Sequence, residues 1–343
     1  MFENNYDIRV INLNRSYERQ EISDFLARHD LFMEKDVDYT IGVYSDDTVI
    51  GTGSLSGNVI KCMAVEHAHR GEGISNKIIT HLINEEYERG NKHLFVFTKT
   101  ENKKIFEDMG FMEITSASNV SLLENNPRGI EKYTDYLKQK RKDGSIISGI
   151  VMNCNPFTSG HQYLIERASE ISDVLHIFLV WENRSLFPKE VRLRLLEEGT
   201  SHLNNVTIHK GENYIISNST FPSYFIKEKN SVVKIHAALD LKIFGEYIAP
   251  ALGINHRIVG EEPNDPVTGE YNSTMKELLP GYNIKVTEVP RKMFGEDVIS
   301  ASKVRKMIKE DNIEALKNLV PVSTYTYLKS DEARHIAESI KNA

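Results

Sequence analysis

The sequence predicts two α/β domains in tandem: a mixed α+β domain, then a doubly wound parallel sheet that ends in helices. Three observations carry this. Short strand-like runs and one amphipathic helical stretch alternate over the first third. From Ser145 the pattern changes to continuous apolar runs, each followed by a helical stretch, as buried parallel strands and their crossovers require. The chain of 343 residues is also too long for one ordinary core.

In the first domain, Tyr39 to Tyr44 and Val49 to Leu55 read as strands around the turn Ser45-Asp46-Asp47, and Val59 to Val65 as a third strand. Between Ile74 and Arg89 the residues Ile74, Ile78, Ile79, Leu82, Ile83 and Tyr87 recur at helical spacing. Leu94 to Thr98 is a further strand, and Lys103 to Met109 a short helix with Gly110 at its C-terminal cap. The pattern loosens between Ser116 and Gly144. A turn cluster, Asn125-Asn126-Pro127-Arg128-Gly129, precedes a charged helix from Glu131 to Lys142. The domains expected are therefore residues 1–120, a linker over 121–144, and residues 145–343.

In the second domain, Ile146 to Met152 reads as the first buried strand. A turn and a helix from Gly160 to Glu170 follow, then a strand at Val174 to Val180 and a helix at Glu190 to Glu198. Val206 to His209 and Val232 to Leu239 read as further strands, and Ser302 to Lys309 as a late helix.

Composition bounds the function. With 40% hydrophobic and 27% charged residues the chain is a folded protein. A net charge of −7 argues against nucleic acid as partner. Cys62 and Cys154 are the sole cysteines, which gives no zinc-site spacing and fits a reducing cytoplasm. No run approaches the roughly 20 apolar residues of a membrane span, and Met1 to Arg9 lacks the pattern of a secretion signal.

Chemistry concentrates at two places. Gly149 to Met152 leads through Asn153-Cys154-Asn155-Pro156-Phe157 into Thr158-Ser159-Gly160-His161, a strand, a turn and a helix start. Free backbone N–H groups and the helix dipole there suit a phosphate. Gly160 leaves room for close approach of a nucleotide, His161 is a donor to shifting phosphate charge, and Thr158 adds a hydroxyl. Ile299-Ser300-Ala301-Ser302-Lys303-Val304-Arg305 sets two hydroxyls, a lysine and an arginine at a second helix start. Ser300 or Ser302 caps that helix, and Arg305 suits a charge-assisted phosphate contact.

The two segments resemble the paired HxGH and ISSTxxR signatures of the nucleotidylyltransferase superfamily, with Thr158 in place of the first histidine. Together with Val259-Gly260-Glu261-Glu262-Pro263, Tyr271-Asn272 and the segment Asp240 to Gly253, they resemble citrate lyase ligases in particular, over nearly the whole chain. The resemblance implies a Rossmann-like nucleotidylyltransferase domain with a helical C-terminus, located in the cytoplasm. It implies an ATP-dependent acid–thiol ligase that takes acetate to acetyl-AMP, releases pyrophosphate, and acetylates the CoA-like prosthetic group on the acyl carrier subunit of citrate lyase. Mg²⁺ is expected to arrive with the nucleotide rather than in a protein-built metal site.

Within that reading His161, Thr158, Arg305 and Ser302 are the catalytic candidates, and Asn155, Phe157, Gly160, Asp240, Ser300 and Lys303 the ATP-binding ones. Asp240 is placed at the end of the expected strand Val232 to Leu239, where doubly wound folds contact ligands. Arg184, Lys189 and Arg192 are candidates to reach a triphosphate, with a solvated surface the equal alternative.

In the first domain, Arg70-Gly71-Glu72-Gly73-Ile74-Ser75 follows a strand and opens a helix. It resembles the pyrophosphate-binding turn of GCN5-related acetyltransferases, with Ser75 where Gly or Ala is usual. Arg70, Gly71 and Gly73 are thus candidates to hold the CoA-like arm. Two other functions remain open on sequence grounds: a nucleotidyltransferase acting on a phosphopantetheine-like metabolite, and an acetyl-CoA-dependent N-acetyltransferase.

Overall fold

The computed structural model describes residues 6–216, 221–226, 229–262, 265–295 and 297–342. Of the expected motif residues, Pro263 lies outside them. The chain forms two compact units, Met1–Lys132 with Phe221–Leu239, and Tyr133–Thr220 with Asp240–Ala343.

The first unit contains β1 (Asp7–Val10), α1 (Ser16–Arg28), β2 (Tyr39–Ser45), β3 (Thr48–Ser56), β4 (Val59–Val65), α2 (Ile74–Glu88), β5 (Phe95–Lys99), α3 (Lys103–Glu107), β6 (Met112–Ala117) and β7 (Val120–Glu124). They build a seven-stranded sheet in the order β1-β2-β3-β4-β5-β7-β6. Ile74, Ile78, Ile79 and Leu82 form the buried stripe of α2 and join Ile41, Val43, Ile50 and Val96 of the strands in one core. All neighbours are antiparallel except β4 and β5. That parallel pair is joined only at Val59–Phe95 and Ile60–Val96, so the two strands part beyond Ile60.

The expected linker is corrected here. Val120 to Glu124 is β7, hydrogen-bonded between β5 and β6, because Leu122 and Leu123 are fully buried between two partner strands. Helix α4 (Gly129–Lys138) follows it.

The second unit continues with β8 (Ile147–Met152), α5 (Ser159–Glu170), β9 (Val174–Leu179), α6 (Lys189–Thr200) and β10 (Val206–Lys210). Helix α7 (Lys229–Ile243), whose residues up to Leu239 belong to the first unit, leads through a π-turn to α8 (Ala249–Leu252), followed by β11 (His256–Gly260), α9 (Pro266–Leu278) and β12 (Lys285–Val289). A small hairpin, β13 (Met293–Phe294) and β14 (Asp297–Val298), precedes α10 (Ala301–Lys309), α11 (Val322–Leu328) and α12 (Arg334–Asn342).

The five strands are all parallel in the order β10-β9-β8-β11-β12, so the winding reverses between β8 and β11. This is the doubly wound arrangement, and its switch point lies beside the end of β8. Ile150, Ile177, Leu195, Ile258, Val304 and Ile336 share the core on one face.

The strand expected at Val232 to Leu239 is not one: those residues lie inside α7. An apolar run does not separate a buried strand from a buried helix by periodicity alone. Here the run continues to Ile243 and carries Ala237, Ala238 and Leu239, all good helix formers. Among the described residues no helix is long and apolar enough to cross a membrane.

On the opposite sheet face His176 and His209 are buried, with Nδ1 of the first 2.9 Å from Nε2 of the second. Their other ring nitrogens have no hydrogen-bond partner among the described residues. Burial holds His176 down to about 4 and His209 to about 3, with nearby lysines adding to the effect. Both titrate near 6.5 when unfolded. Below that pH the unfolded chain binds more protons than the folded one, so stability falls with pH until about pH 4, where His176 itself protonates. Each histidine contributes up to about 1.4 kcal/mol per pH unit in that window. Thermal melts should therefore be flat above pH 7 and drop between pH 6.5 and 4, with a shallower slope in a His176→Gln, His209→Gln double variant. An equal slope in both proteins refutes this assignment.

Candidate active site

The loop after β8 leaves the carboxyl end of the central strand at the switch point. Cys154 there is fully buried with φ of +53°, and burial pushes its thiol up, so it is a packing residue and no nucleophile. The Asn155–Pro156 peptide is cis. The Asn155 carboxamide oxygen accepts from the Phe187 N–H at 3.1 Å, which ties this loop to the start of the next crossover. Phe157 is fully buried against Gly199, where a Cβ would sit 2.3 Å from its ring. It shapes the turn from below and presents no surface to a nucleotide.

Thr158 is the N-cap of α5 and His161 its third residue, and the two form a reciprocal capping box. The Thr158 hydroxyl oxygen accepts from the His161 N–H at 3.3 Å. The imidazole Nδ1 accepts from the Thr158 N–H at 3.0 Å and lies 2.9 Å from the hydroxyl. A nitrogen that accepts a backbone N–H carries no proton, so the proton of the neutral ring sits on Nε2. Burial, with the charge of Arg291, holds His161 down to about 4. His161 is thus a neutral donor with its tautomer set by the backbone. Thr158 is 1% exposed and its hydroxyl is engaged with His161, which corrects its expected role as a second donor to phosphate.

The second helix start lies against the first. Ser300 is the N-cap of α10, its hydroxyl accepting from the Lys303 N–H at 3.2 Å. A Cβ on Gly160 would stand 2.9 Å from the Ile299 carbonyl oxygen. The glycine is therefore required by close packing of the two helix starts, a reason the sequence alone did not show. Arg305 donates to the Asn155 carbonyl at 2.6 Å and to the Ser302 hydroxyl at 3.1 Å, and burial lowers its pKa. Lys303 pairs with Asp297 at 2.6 Å on the exposed side. Seven of the expected residues (Asn155, Thr158, Gly160, His161, Ser300, Ser302 and Arg305) thus meet in one place.

Other candidates lie elsewhere. Asp240 is inside α7, 3% exposed, and accepts from the Ile216 N–H at 2.8 Å and from the Tyr271 hydroxyl. Its carboxylate braces these elements and is not at a strand end. Arg192 is wholly buried and donates to carbonyls of Asn153, Val180, Glu182 and Phe187. Lys189 lies over the Trp181 ring at 5.2 Å, and Arg184 is exposed.

Sequence reasoning missed Arg291. It follows β12 at the carboxyl edge of the sheet, pairs with Glu262, donates to the Glu261 carbonyl at 2.7 Å, and its charge acts on His161. Its position just past a strand end was the available signal.

The first unit has its own cavity of about 850 Å³. It lies where β4 and β5 part, with Met63 to Val65 on one bank and Thr98 and Lys99 on the other. Arg70, Gly71 and Gly73 line its mouth. Gly71 and Gly73 have φ of +86° and +76°, and a Cβ on either would meet nothing within 4 Å. The turn is a left-handed cradle open above. No side chain caps α2, so its first N–H groups face the cavity unsatisfied by a cap. His29, at the cavity wall, keeps an Nε2 without a hydrogen bond 3.6 Å from Glu66.

Residues 147–328 match the family model of the citrate lyase ligase C-terminal domain, and residues 14–122 that of an acetyltransferase (GNAT) domain. The chain is 42% identical over 336 residues to the citrate (pro-3S)-lyase ligase of Escherichia coli K12, covering 96% of this chain and 95% of that one. It is 41% identical over 315 residues to the enzyme of that name from Haemophilus influenzae, covering 90% and 94%. A shorter likeness, 40% over 57 residues, links 16% of the chain to 35% of a phosphopantetheine adenylyltransferase from Staphylococcus saprophyticus. With matches of this identity and extent, the chain belongs to the citrate lyase ligase family of acid–thiol ligases.

Proposed function

We propose that the chain activates acetate with ATP and passes the acetyl group to the thiol of a CoA-like prosthetic arm on the acyl carrier subunit of citrate lyase. An acetate oxygen attacks the α-phosphorus and the bond to pyrophosphate breaks, giving acetyl-AMP. The arm's sulfur then attacks the carbonyl carbon, the bond to AMP breaks, and the thiol proton passes to solvent. Mg²⁺ accompanies the triphosphate.

The single observation that supports this most is the preset neutral imidazole of His161 at a helix start packed against a second one. In this reading Nε2–H donates to a phosphate oxygen as charge moves toward pyrophosphate, at no cost in reorganisation. Arg305 supplies fixed positive charge from the same corner, and Ser302 orients it. Ser300, Gly160 and Asn155 hold the two starts together, Phe157 shapes the turn from beneath, and Lys303 meets the outer phosphates once released from Asp297. The buried free cysteines fit a cytoplasmic enzyme.

The open cradle at Arg70, Gly71 and Gly73 supports binding of the arm's pyrophosphate in the first unit. The test is incubation with ATP, Mg²⁺ and labelled acetate, with acetyl-AMP trapped in the presence and absence of carrier thiol. Acetate-dependent pyrophosphate release is expected; release that instead needs phosphopantetheine overturns the reading. Arg70→Ala with Gly73→Asp should slow carrier acetylation about tenfold or more while leaving acetyl-AMP formation intact. Undiminished carrier acetylation in that variant removes the arm site from the proposal.

A further inference from the structure

Two arginines stand at the carboxyl edge of the parallel sheet, on opposite banks of the switch point. Arg305 comes from the α10 start, and Arg291 lies two residues past the end of β12. Backbone contacts fix where Arg291 enters. The Ile299 N–H donates to the Lys292 carbonyl at 3.1 Å. The Ile299 carbonyl in turn lies over Gly160, 2.9 Å from where a Cβ would be. Lys292 Nζ also sits over the ring of Tyr163 at 5.9 Å, on the same helix as His161. Arg291 thus adjoins the strut that joins the two helix starts.

The two arginines differ in what surrounds them. Arg305 has neutral partners, the Asn155 carbonyl and the Ser302 hydroxyl, and keeps its whole charge for phosphates. Arg291 is matched by a carboxylate. Its Nε donates to the Glu261 carbonyl at 2.7 Å and its Nη2 to Glu262, whose side chain is 11% exposed. Nε and Nη2 form one edge of the guanidinium, and Nη1 has no partner among the described residues. Nη1 and the second N–H of Nη2 therefore remain as a parallel pair of donors, rooted in the two strand ends. Such a fork fits the two oxygens of a carboxylate. With Glu262 beside it, the net charge at the fork is near zero. Repulsion from Glu262 grows with the charge of an approaching anion, so a monoanion with two oxygens gains both hydrogen bonds at the least cost.

We propose that Arg291 is the acetate-binding residue, its unclaimed Nη1/Nη2 fork holding both oxygens of the substrate carboxylate while Arg305 and the helix starts hold the triphosphate. This rests on the adenylating reaction proposed above and gives its second substrate a place. A carboxylate oxygen keeps a further lone pair after accepting one hydrogen bond, so an oxygen held by Arg291 can still attack the α-phosphorus. Glu262 fixes the fork and turns away anions of higher charge, which keeps phosphates out of the acetate position.

The test is pyrophosphate release by the full chain, with acetate varied at saturating ATP and ATP varied at saturating acetate. Arg291→Gln should raise the KM for acetate about tenfold or more, as loss of a charge-assisted bidentate contact requires. The KM for ATP should stay within about twofold, which also reports an intact nucleotide site. Arg291→Lys should recover little, because an ammonium offers no fork. Glu262→Gln keeps an acceptor for Nη2 and removes the opposing charge, so its KM for acetate should fall several-fold. An unchanged acetate KM in Arg291→Gln overturns the inference, and so does an ATP KM raised as much as that of acetate, which would make Arg291 a phosphate contact. Should Arg291→Gln not fold, Glu262→Gln decides: an acetate KM at or above the unaltered value overturns the inference. If the unaltered protein releases no pyrophosphate with acetate, the adenylating reading itself fails; if it does so without dependence on Arg291, only the acetate site falls.

Discussion

Replacing His161 with alanine should depress acetate-dependent acetyl-AMP formation by about ten- to a thousandfold, since loss of one preorganised donor to developing charge costs up to about a thousandfold. The loss should appear in kcat rather than KM, since the donor acts on charge that develops in the transition state. The substitution also removes half of a capping box, so a control is required. Thr158→Ala breaks the same cap and costs about 1 kcal/mol of stability, but leaves the imidazole in place. Its rate should fall only several-fold. If the two variants lose equal activity, His161 acts through the helix start and not as a donor. Because the ring is held at about 4, it should contribute no inflection to the rate profile between pH 5.5 and 8. An inflection near 6.5 that vanishes in His161→Ala would contradict the neutral, fixed tautomer.

The largest stability effect is expected at Arg192. Its guanidinium is fully buried and reaches Asn153 at 2.8 Å, Val180 at 2.7 Å, Glu182 at 2.6 Å and Phe187 at 3.1 Å, all backbone carbonyls. These lie on the loop after β8, the end of β9 and the approach to α6, so one side chain stitches the carboxyl edge of the sheet. Arg192→Leu leaves the buried carbonyls of Val180 and Phe187 and the half-buried ones of Asn153 and Glu182 without this donor, with a cost of about 3–5 kcal/mol. Urea unfolding should show a lower midpoint at unchanged m-value. Arg192→Lys should recover little, because an ammonium cannot fork to four acceptors. Acetyl-AMP formation should fall in both variants at temperatures where they remain folded, as the loop carrying Asn155 loses its brace. A midpoint within experimental error of the unaltered protein refutes this account.

Arg192 also shows where sequence reading stops. A cation at a helix start reads as a phosphate contact or a solvated side chain. Only the fold shows four carbonyls converging on it. Arg291 was missed for the same reason, since its neighbours Glu261 and Glu262 come from a different strand end. Val232 to Leu239 failed differently: its apolar run satisfies a buried strand and a buried helix alike, and the neighbouring elements decide.

What the sequence determined by itself is whatever is encoded within a turn or two of chain. The β8 run, the Thr158–His161 start, the Ser300 cap and the Gly71–Gly73 turn are local, and each was legible from spacing and residue type. The tertiary structure alone decided which of those local groups remain free to act. Arg305 reaches Asn155 across 150 residues of sequence, and Gly160 is needed because Ile299 lies on top of it. A hydrogen bond consumes a donor wherever its acceptor comes from, and acceptors from distant segments leave no local trace in the chain.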